Sequence, residues 1–567
     1  MKKIKIIFKF IFILFLFFSV SSLVHSRNLD KYYKSDNISN YFSGIMSLYD
    51  NEYGSSYKYL KELEGLEDKH ASYIPFYQFS LVNSGKIYEA YKYSKKLERK
   101  KVESFEGNLI IGIYHLKNNR FDEAYKYFQK LEKNKSNQDL IKNLATISLK
   151  NWVTFPFISE EKSLALIKNM PDRFENIKKI QSTMAKCFFD SKDVDFSFKN
   201  LTSNENTDFS RYSFFYANYL NQKGQTKKAL DVTNLSLKTT PRNLILLQLK
   251  EDINKKPKVF FNQFNCRKIS DASAEVLYIL ANALSSQSAY SLSNFYLNLS
   301  KYLNPNFASF DALYAENLYM MEKLNFSKKI YKSFIPKGSI YGWHASKEIA
   351  KILLEQEQNI ESLDFIKSNF RRIQSPQVYQ ILDYAIFLKN NEKFDESIKY
   401  YTKVLNLIDK GHYLYPKASE GRGVAYERVG EWEKAEKDLL NSLSVLPDQA
   451  YVINYLAYSW IEKGINIEKS LEMLRKANNL KKRDGYIVDS LGWALFKLER
   501  YQEAEKYLRI ALTLMPSDPI VNDHYGDVLW MNHEKIKARY YWNYVLNSKE
   551  TEEKLKKIVK EKTVFGL

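Results

Sequence analysis

The strongest candidates for catalytic chemistry are three side chains near the C-terminus, Asp523, His524 and Asp527. A carboxylate beside an imidazole is a common acid–base combination in enzymes. However, Asp523 and His524 are adjacent in a predicted helix, so their side chains point about 100° apart around its axis. Their spacing does not build an acid–base pair, and we expect these residues to serve the structure or a binding surface.

The sequence also lacks the motifs of common enzyme classes. It contains no GxSxG, no GxxxxGK[ST] and no GxGxxG after a predicted strand, so a nucleophile elbow, a phosphate loop and a dinucleotide-binding loop are not indicated. The 7 histidines form no HExxH motif and no paired ligand set. We therefore predict a non-enzymatic protein without a metal ion or another cofactor.

The elements that must position any functional residue follow an internal repeat of about 34 residues, which is clearest when Gly485 is position 1. Small residues stand at positions 8, 20 and 27 and leucines at positions 7, 11 and 24: Gly492, Ala504, Ala511, Leu491, Leu495 and Leu508. Small residues let two helices cross closely, and leucines fill the seam between them. Pro516 then ends the second helix. Each repeat is therefore predicted to be a pair of antiparallel helices.

The same register recurs along most of the chain. A small residue occupies position 8, position 20 or both in the repeats that begin at Asn37, Ala71, Phe105, Ser210, Ala274, Ala308, Val378, Pro416, Ala450 and Pro519. The stretches 139–209, 242–273 and 342–377 match poorly, and we interpret them as divergent helix pairs. The sequence thus predicts an all-α solenoid.

This pattern resembles the tetratricopeptide repeat family over residues 37–547. Residues 416–547 more narrowly resemble exported bacterial tetratricopeptide proteins that have a signal peptide, weak N-terminal repeats and a strong C-terminal block. That narrower resemblance is carried by AYSWIEKGINIEKSLEML, DGYIVDSLGWALF and DPIVNDHYGDVLW. It implies a right-handed solenoid that binds partners on its concave surface. The group has no single agreed activity, so it assigns no functional residue.

The N-terminal segment, residues 1–26, has the layout of a signal peptide. Lysines precede the apolar run 10–18, and Val24-His25-Ser26 offers a cleavage site before Arg27. We expect export to the periplasm or cell envelope. The alternative of an uncleaved segment that anchors the protein in a membrane stays open, because the apolar run is borderline in length.

The rest of the chain divides into three predicted segments. Residues 27–415 form a divergent N-terminal and central solenoid, and residues 416–547 form the well-defined repeat block. Residues 548–567 carry Leu555, Ile558 and Val559 at helical spacing, which predicts a C-terminal capping helix and tail.

The resemblance implies that positions 2, 5, 9 and 12 of each first helix face the concave groove. In the last repeats these positions combine aromatic residues with Asn and Asp. The predicted binding residues are Tyr451, Asn454, Tyr458, Tyr486, Asp489, Trp493, Asp523, Asp527 and Trp530. We expect Asp489 and Asp523 to be open to solvent, so that replacing both by alanine would hardly change stability. Packing of Tyr458, Trp493 and Trp530 against a neighbouring repeat or the capping helix remains the alternative.

The two cysteines, Cys187 and Cys266, lie more than two repeat lengths apart. Stacked helix layers are separated by about 10 Å, whereas the Cα atoms of a disulfide lie within about 7 Å. We therefore expect two buried thiols rather than a bridge.

The formal net charge of +20 does not by itself indicate a nucleic-acid partner. The lysines are scattered singly among glutamates, as in Lys92, Lys95, Lys96 and Glu98, which is typical of a solvated helix face rather than a phosphate-binding stripe. Peripheral association with an anionic membrane surface or an anionic glycan stays open.

Two hypotheses for function follow from these patterns. The first is a non-enzymatic scaffold of the periplasm or cell envelope that binds a protein or peptide partner in its concave groove. The alternative is a glycan- or peptidoglycan-binding component of an envelope polysaccharide assembly or export system, because tyrosine and tryptophan faces beside Asn and Asp also suit sugar rings.

Overall fold

The computed structural model describes residues 35–134, 139–203, 209–256 and 259–567. The predicted signal peptide, residues 1–26, lies outside the described residues. Within the described ranges the protein is helical, without a β-strand; a single isolated β-bridge joins Asn262 and Phe307. The predicted all-α fold is confirmed. No helix in these ranges is both long and apolar enough to span a membrane.

The chain divides into two compact units, Met1–Gln356 and Glu357–Leu567. The boundary falls inside the poorly matching stretch 342–377, whereas the sequence patterns suggested a change of character at residue 416.

The described part of unit 1 contains the helices α1 (Ser35–Tyr49), α2 (Tyr53–Lys61), α3 (Tyr73–Asn83), α4 (Ile87–Arg99), α5 (Phe105–Lys117), α6 (Phe121–Lys130), α7 (Leu140–Thr154), α8 (Glu160–Lys168), α9 (Glu175–Phe189), α10 (Val194–Thr202), α11 (Ser210–Gln222), α12 (Thr226–Thr239), α13 (Leu244–Lys255), α14 (Ile269–Ser286), α15 (Tyr290–Leu303), α16 (Ser309–Met320), α17 (Leu324–Phe334) and α18 (Ser339–Glu355). Short 3₁₀ turns connect several of them.

Unit 2 contains the helices α19 (Asn359–Arg371), α20 (Val378–Asn390), α21 (Phe394–Leu407), α22 (Tyr415–Arg428), α23 (Trp432–Val445), α24 (Ala450–Glu462), α25 (Ile467–Leu480), α26 (Gly485–Lys497), α27 (Tyr501–Leu514), α28 (Pro519–Met531), α29 (Lys535–Asn547) and α30 (Glu553–Phe565). Helix α30 packs on α29 and buries Val559, so the predicted C-terminal capping helix is confirmed.

The repeat register predicts several helix starts correctly, whereas the predicted start Ala274 lies inside α14 (Ile269–Ser286). Several predicted repeat starts are the first residue of a helix: Phe105, Ser210, Val378, Ala450, Gly485 and Pro519. Position 8 is also as crowded as predicted, because a Cβ on Gly492 would lie 2.6 Å from Leu508 Cγ and 3.1 Å from the Leu508 backbone nitrogen. Helices α26 and α27 therefore cross at a distance that only glycine permits.

Gly492→Leu is expected to lower the free energy of unfolding by about 1 to 3 kcal/mol, because the larger side chain forces α26 and α27 apart. Gly54→Leu is the matched control, since a Cβ there meets nothing within 4 Å. Chemical denaturation followed by circular dichroism measures both variants. An unchanged Gly492→Leu variant would contradict the close crossing.

The stretch 242–273 is not the divergent helix pair that we expected. One helix, α13, is followed by an extended segment, residues 259–268, which takes the place of a second helix. Side chains hold this segment: Asn218 Nδ2 donates to Phe264 O (2.7 Å), and Asp252 Oδ2 accepts from the Phe261 backbone nitrogen (2.8 Å). These bonds satisfy backbone groups that a helix would satisfy internally.

The extended segment carries Cys266 back to Cys187 on α9, where the two residues form a disulfide with a Cα–Cα distance of 5.9 Å. The expectation of two separate thiols was wrong. It assumed evenly stacked helix pairs, and the unwound segment shortens the path between the two layers.

The disulfide predicts that the purified protein, denatured without reductant, reacts with no thiol reagent. Treatment with reductant should expose two reactive thiols, which alkylation and intact-mass measurement will count. Alkylation of Cys187 and Cys266 without prior reduction would contradict the bridge.

Unit 1 also folds back on itself, which a simple stack of neighbouring repeats does not do. Helix α15 packs on α3, where the rings of Phe79 and Phe295 stack at 5.4 Å. Asn298 Nδ2 donates to Asn83 Oδ1 (3.3 Å) at the same contact. The largest core cluster of this unit consequently extends from Leu60 to Leu313.

Candidate functional site

The nine predicted binding residues lie on the first helices of three successive repeats, α24, α26 and α28. Among them Tyr451 and Tyr486 are the most open to solvent, with 53% and 62% exposure. Tyr451 donates a hydrogen bond to Asp484 Oδ2 (2.9 Å), and Lys481 Nζ lies 4.4 Å from its ring centroid. These two tyrosines are available to a partner.

Asp489 is buried rather than open, because it pairs with His524 of the next repeat. Asp489 Oδ2 lies 2.9 Å from His524 Nδ1, and the side chains are 8% and 7% exposed. The imidazole stacks on Trp493 at 3.9 Å, and Trp493 Nε1 donates to Glu462 Oε1 (2.7 Å). The expectation that Asp489 faces solvent was therefore wrong.

His524 does not pair with its neighbour Asp523 on the same helix. It pairs instead with Asp489, which lies on the helix of the preceding repeat. Burial disfavours the imidazolium form, but the carboxylates of Asp489, Asp523 and Asp527 outweigh it and raise the pKa of His524. Because the pair is buried and stacked on Trp493, its geometry supports a structural contact between repeats.

Asp523 and Asp527 are also buried, and Lys562 of the capping helix α30 pairs with both. Its Nζ lies 2.8 Å from Asp523 Oδ1 and 2.7 Å from Asp527 Oδ2. Trp542 Nε1 donates to Asp527 Oδ1 (3.0 Å). Burial and then the charge of Asp523 raise the pKa of Asp527 to about 6, against the opposing effect of Lys562. The expectation that Asp523 is open to solvent was wrong.

The remaining predicted residues are partly buried. Asn454 and Tyr458 are half-buried on α24, and burial raises the pKa of Tyr458. Trp530 lies 5.4 Å from the Trp542 ring and contacts Gly566 after the capping helix. The packing alternative is therefore confirmed for Trp493 and Trp530. A binding role for the nine residues stays a prediction.

Unit 1 contains a more open concave site, a cavity of about 790 Å³. Its walls come from helices α11, α14, α16 and α18, with the start of α13 at one side. The lining includes Tyr278 and Asn282 of α14, Tyr319 of α16 and Glu348 of α18. The volume lies in the range of about 300 to 1,000 Å³ that ligand sites occupy.

A buried ion pair lines part of this cavity. The Arg211 guanidinium donates to both carboxylate oxygens of Glu275 (2.7 Å each) and to Ser309 Oγ (2.8 Å). It also lies 3.8 Å from the centroid of the Tyr278 ring. A bidentate pair packed on an aromatic ring fixes α11 against α14 and α16 and orients Tyr278.

Another part of the cavity is acidic and only partly neutralised. Glu348 is partly buried, with its side chain 29% exposed, and burial raises its pKa. The titratable His344 lies beside it, with Nδ1 3.8 Å from Glu348 Oε1. Lys351 Nζ lies 4.2 Å from the centroid of the Tyr319 ring. Glu316 is exposed and makes no hydrogen bond or ion pair within the described part of the chain.

The sequence contained the signal for this second site. Counted from Ser210, Ala274 and Ala308, the groove positions 2, 5, 9 and 12 include cavity residues: Arg211, Glu275, Tyr278, Asn282, Ser309, Ala312, Glu316 and Tyr319. The binding residues predicted from the sequence all lie in the C-terminal block, where the repeat pattern is strongest. A strong repeat pattern indicates regular helix packing, but it does not indicate that the groove is open.

A cluster of His, Cys, Asp and Glu side chains able to hold a metal ion is not found among the described residues. In the unit 1 cavity Arg211 pairs with Glu275 and Lys351 lies over the Tyr319 ring, while Glu316 has no ion pair within the described residues. This arrangement favours recognition of a ligand through charge, hydrogen bonds and ring faces.

Comparison with known proteins gives the class of the C-terminal part. Residues 345–561 match the family model of the tetratricopeptide repeat. This segment is therefore similar to tetratricopeptide repeats, and the described residues of both units are arranged as α-helices.

Individual relatives are similar over limited regions. The TPR repeat-containing protein PA4667 of Pseudomonas aeruginosa is 31% identical over 147 residues, which are 25% of this chain and 23% of that protein. The chain therefore spans about a quarter of the length of that relative.

Solved structures show similarly partial likeness. A tetratricopeptide repeat protein from Parabacteroides merdae has 17% identity and a TM-score of 0.32, covering 39% of this chain and 85% of its own. YrrB, a TPR protein with an unusual peptide-binding site, has 15% identity and a TM-score of 0.27, covering 33% of this chain and 92% of its own.

Proposed function

We propose that this protein is a non-enzymatic scaffold of the bacterial periplasm or cell envelope that holds a peptide segment of a partner protein in the unit 1 cavity. The observation that carries the proposal is the cavity itself, because four helices wall it and residues at the groove positions of successive repeats line it. An extended peptide can follow such a row of helices from one repeat to the next.

The chemistry of the lining suits a peptide. Tyr278 and Tyr319 offer ring faces, which contribute large contact area at low entropic cost. The Asn282 amide is exposed in the same wall and can both donate to and accept from a peptide backbone. The cavity therefore combines apolar contact with directed hydrogen bonds.

Two observations support export. The N-terminal residues combine lysines, an apolar run and a cleavage site before Arg27. The disulfide between Cys187 and Cys266 is typical of proteins that fold in an oxidising compartment, since cytosolic thiols are normally kept reduced.

Asn282→Arg tests the groove, because a long charged side chain would project into the cavity from an exposed helix position. We expect this variant to keep its helicity and melting temperature while losing the partner that the wild type captures from envelope extract. Asn169→Arg, at an exposed position outside the cavity, is the matched control. Equal capture by all three proteins would retire this cavity as the binding site.

The same capture distinguishes the glycan alternative. A defined protein partner supports the scaffold, whereas retention of the wild type on cell-wall sacculi, with no protein partner, supports a polysaccharide-binding component. Loss of retention in the Asn282→Arg variant would place the glycan in the same cavity.

Export has its own measurement. If the signal peptide is cleaved, N-terminal sequencing of the protein from the envelope fraction will begin at Arg27. An intact Met1 in a membrane fraction would support the anchored alternative, and recovery only from the cytosol would contradict export.

A further inference from the structure

In one part of the unit 1 cavity the carboxylates outnumber the lysines that line it. Glu316 and Glu348 both line it, and each acts electrostatically on the other. Glu355 adds a third carboxylate nearby, which accepts a hydrogen bond from the Tyr319 hydroxyl. Lys351 is the lysine in this part of the lining, and its ammonium group lies over the Tyr319 ring.

We infer that this acidic part of the cavity, formed by Glu316 and Glu348, binds a positively charged side chain, lysine or arginine, of the peptide held there. The inference rests on the proposed peptide-binding role of the same cavity and names the chemistry that the partner must carry.

The burial of Glu348 gives this preference its strength. A carboxylate that has lost part of its water is costlier in its ionised form unless a cation lies at hydrogen-bond distance from it. Within the described residues the cationic groups that act on it are Lys347, Lys351 and, at 3.8 Å, the titratable His344. A guest ammonium or guanidinium group would supply the missing short charge-assisted hydrogen bond.

Aromatic rings on the same wall favour a cation over a neutral guest. Tyr331 also lines the cavity, and burial together with the charges of Glu348 and Glu316 raises the pKa of its hydroxyl. The protein already places its own cations on two neighbouring rings, Arg211 on Tyr278 at 3.8 Å and Lys351 on Tyr319 at 4.2 Å. A guest cation between carboxylates and a tyrosine ring would repeat that arrangement.

The net charge of the whole chain distinguishes binding at a local acidic site from a general electrostatic attraction. At +20 the protein as a whole repels a cationic peptide. Binding of such a peptide therefore requires a local site of opposite sign, and cannot be assigned to a general attraction between the molecules.

The test uses three fluorescein-labelled peptides built from repeated Gly-Lys-Tyr, Gly-Gln-Tyr or Gly-Glu-Tyr triplets, with fluorescence anisotropy as the readout. The full-length wild type should bind the lysine peptide at least about tenfold more tightly than the other two. The double variant Glu316→Gln/Glu348→Gln should lose about tenfold in affinity for the lysine peptide only. Glutamine keeps the shape of the side chain, and circular dichroism verifies that the variant is folded.

Glu62→Gln is the matched control, since Glu62 is an exposed glutamate outside the cavity and its replacement raises the net charge in the same way per site. It should bind the lysine peptide like the wild type. Absence of binding by the lysine peptide, equal binding of the three peptides, or an unchanged double variant would each overturn the inference.

The peptide-binding role of the cavity and its preference for a cation are distinguished by comparing the two sets of variants. If Asn282→Arg loses the envelope partner but Glu316→Gln/Glu348→Gln retains it fully, the cavity binds a partner without charge selection, and only the inference falls. If Asn282→Arg retains the partner, the proposed function of the cavity falls as well.

Discussion

Replacing Arg211 by methionine is expected to lower the free energy of unfolding by about 3 to 5 kcal/mol, one of the two largest effects predicted for a single substitution in this protein. The variant leaves the Glu275 carboxylate buried without its bidentate partner, and an uncompensated buried charge costs this much. Glu275 has a side chain only 3% exposed, so water cannot replace the guanidinium. Chemical denaturation followed by circular dichroism measures the loss.

The same experiment distinguishes charge from packing. Arg211 also covers the Tyr278 ring, so its removal loses contact area as well. The double variant Arg211→Met/Glu275→Leu removes both charges, and it should recover a large part of the lost stability because apolar replacement of a whole buried pair is often neutral. Arg99→Met, at an exposed arginine outside the cavity, should be neutral. A double variant as unstable as the single one would show that packing dominates.

The repeat architecture was predictable because its causes are local. Small residues at position 8 and leucines in the helix seam specify a close helix crossing, and the structure has this crossing at Gly492 and Leu508. Helix starts such as Ser210 and Pro519 follow from the same register. Contacts within one helix pair therefore determine most of the secondary structure.

The features that sequence reasoning missed depend on contacts beyond neighbouring repeats or on a break in the repeat. The disulfide forms because residues 259–268 are extended and return Cys266 to α9. The contact of α15 with α3 brings Phe295 to Phe79, more than 200 residues earlier in the chain. Neither feature has a periodic signal, so a register alone cannot predict it.

The expected solvent exposure of Asp489 and Asp523 was wrong for a related reason. Position 5 of the first helix faces solvent only where nothing fills the groove. In this protein the capping helix α30 brings Lys562 to Asp523 and Asp527. His524 occupies the space beside Asp489 in the same way. The sequence correctly indicated an unusual set of polar residues. The contacts with His524 and Lys562, which the sequence did not indicate, bury that set.

Replacing Asp489 and Asp523 by alanine is expected to destabilise unit 2, contrary to the expectation from the sequence, because the change removes the buried partner of His524 and one of the two carboxylates that pair with Lys562. A melting temperature that stays unchanged in the double variant would show that these pairs contribute nothing to the fold.

The second large effect is expected for Lys562→Met, which should lower the free energy of unfolding by about 3 to 5 kcal/mol at pH 8. The substitution keeps a long apolar side chain but leaves Asp523 and Asp527 facing each other, both less than 9% exposed at the side chain. Lys560→Met is the matched control, because Lys560 is exposed on the same helix. It should leave the free energy of unfolding within about 0.5 kcal/mol of the wild type.

The loss caused by Lys562→Met should depend on pH in a definite direction. The pKa of Asp527 is about 6 in the folded protein, above its ordinary value of 3.8, so its contribution to stability is fully present below pH 4 and is lost as pH rises through 6. Lys562 opposes this shift, and its removal moves the pKa of Asp527 further upward. The variant should therefore be closest to the wild type near pH 4 and fall progressively behind it above pH 6. Denaturation curves of both proteins at pH 4, 6 and 8 measure this difference, and a loss that is constant across the range would show that Lys562 stabilises the capping helix by packing rather than by charge.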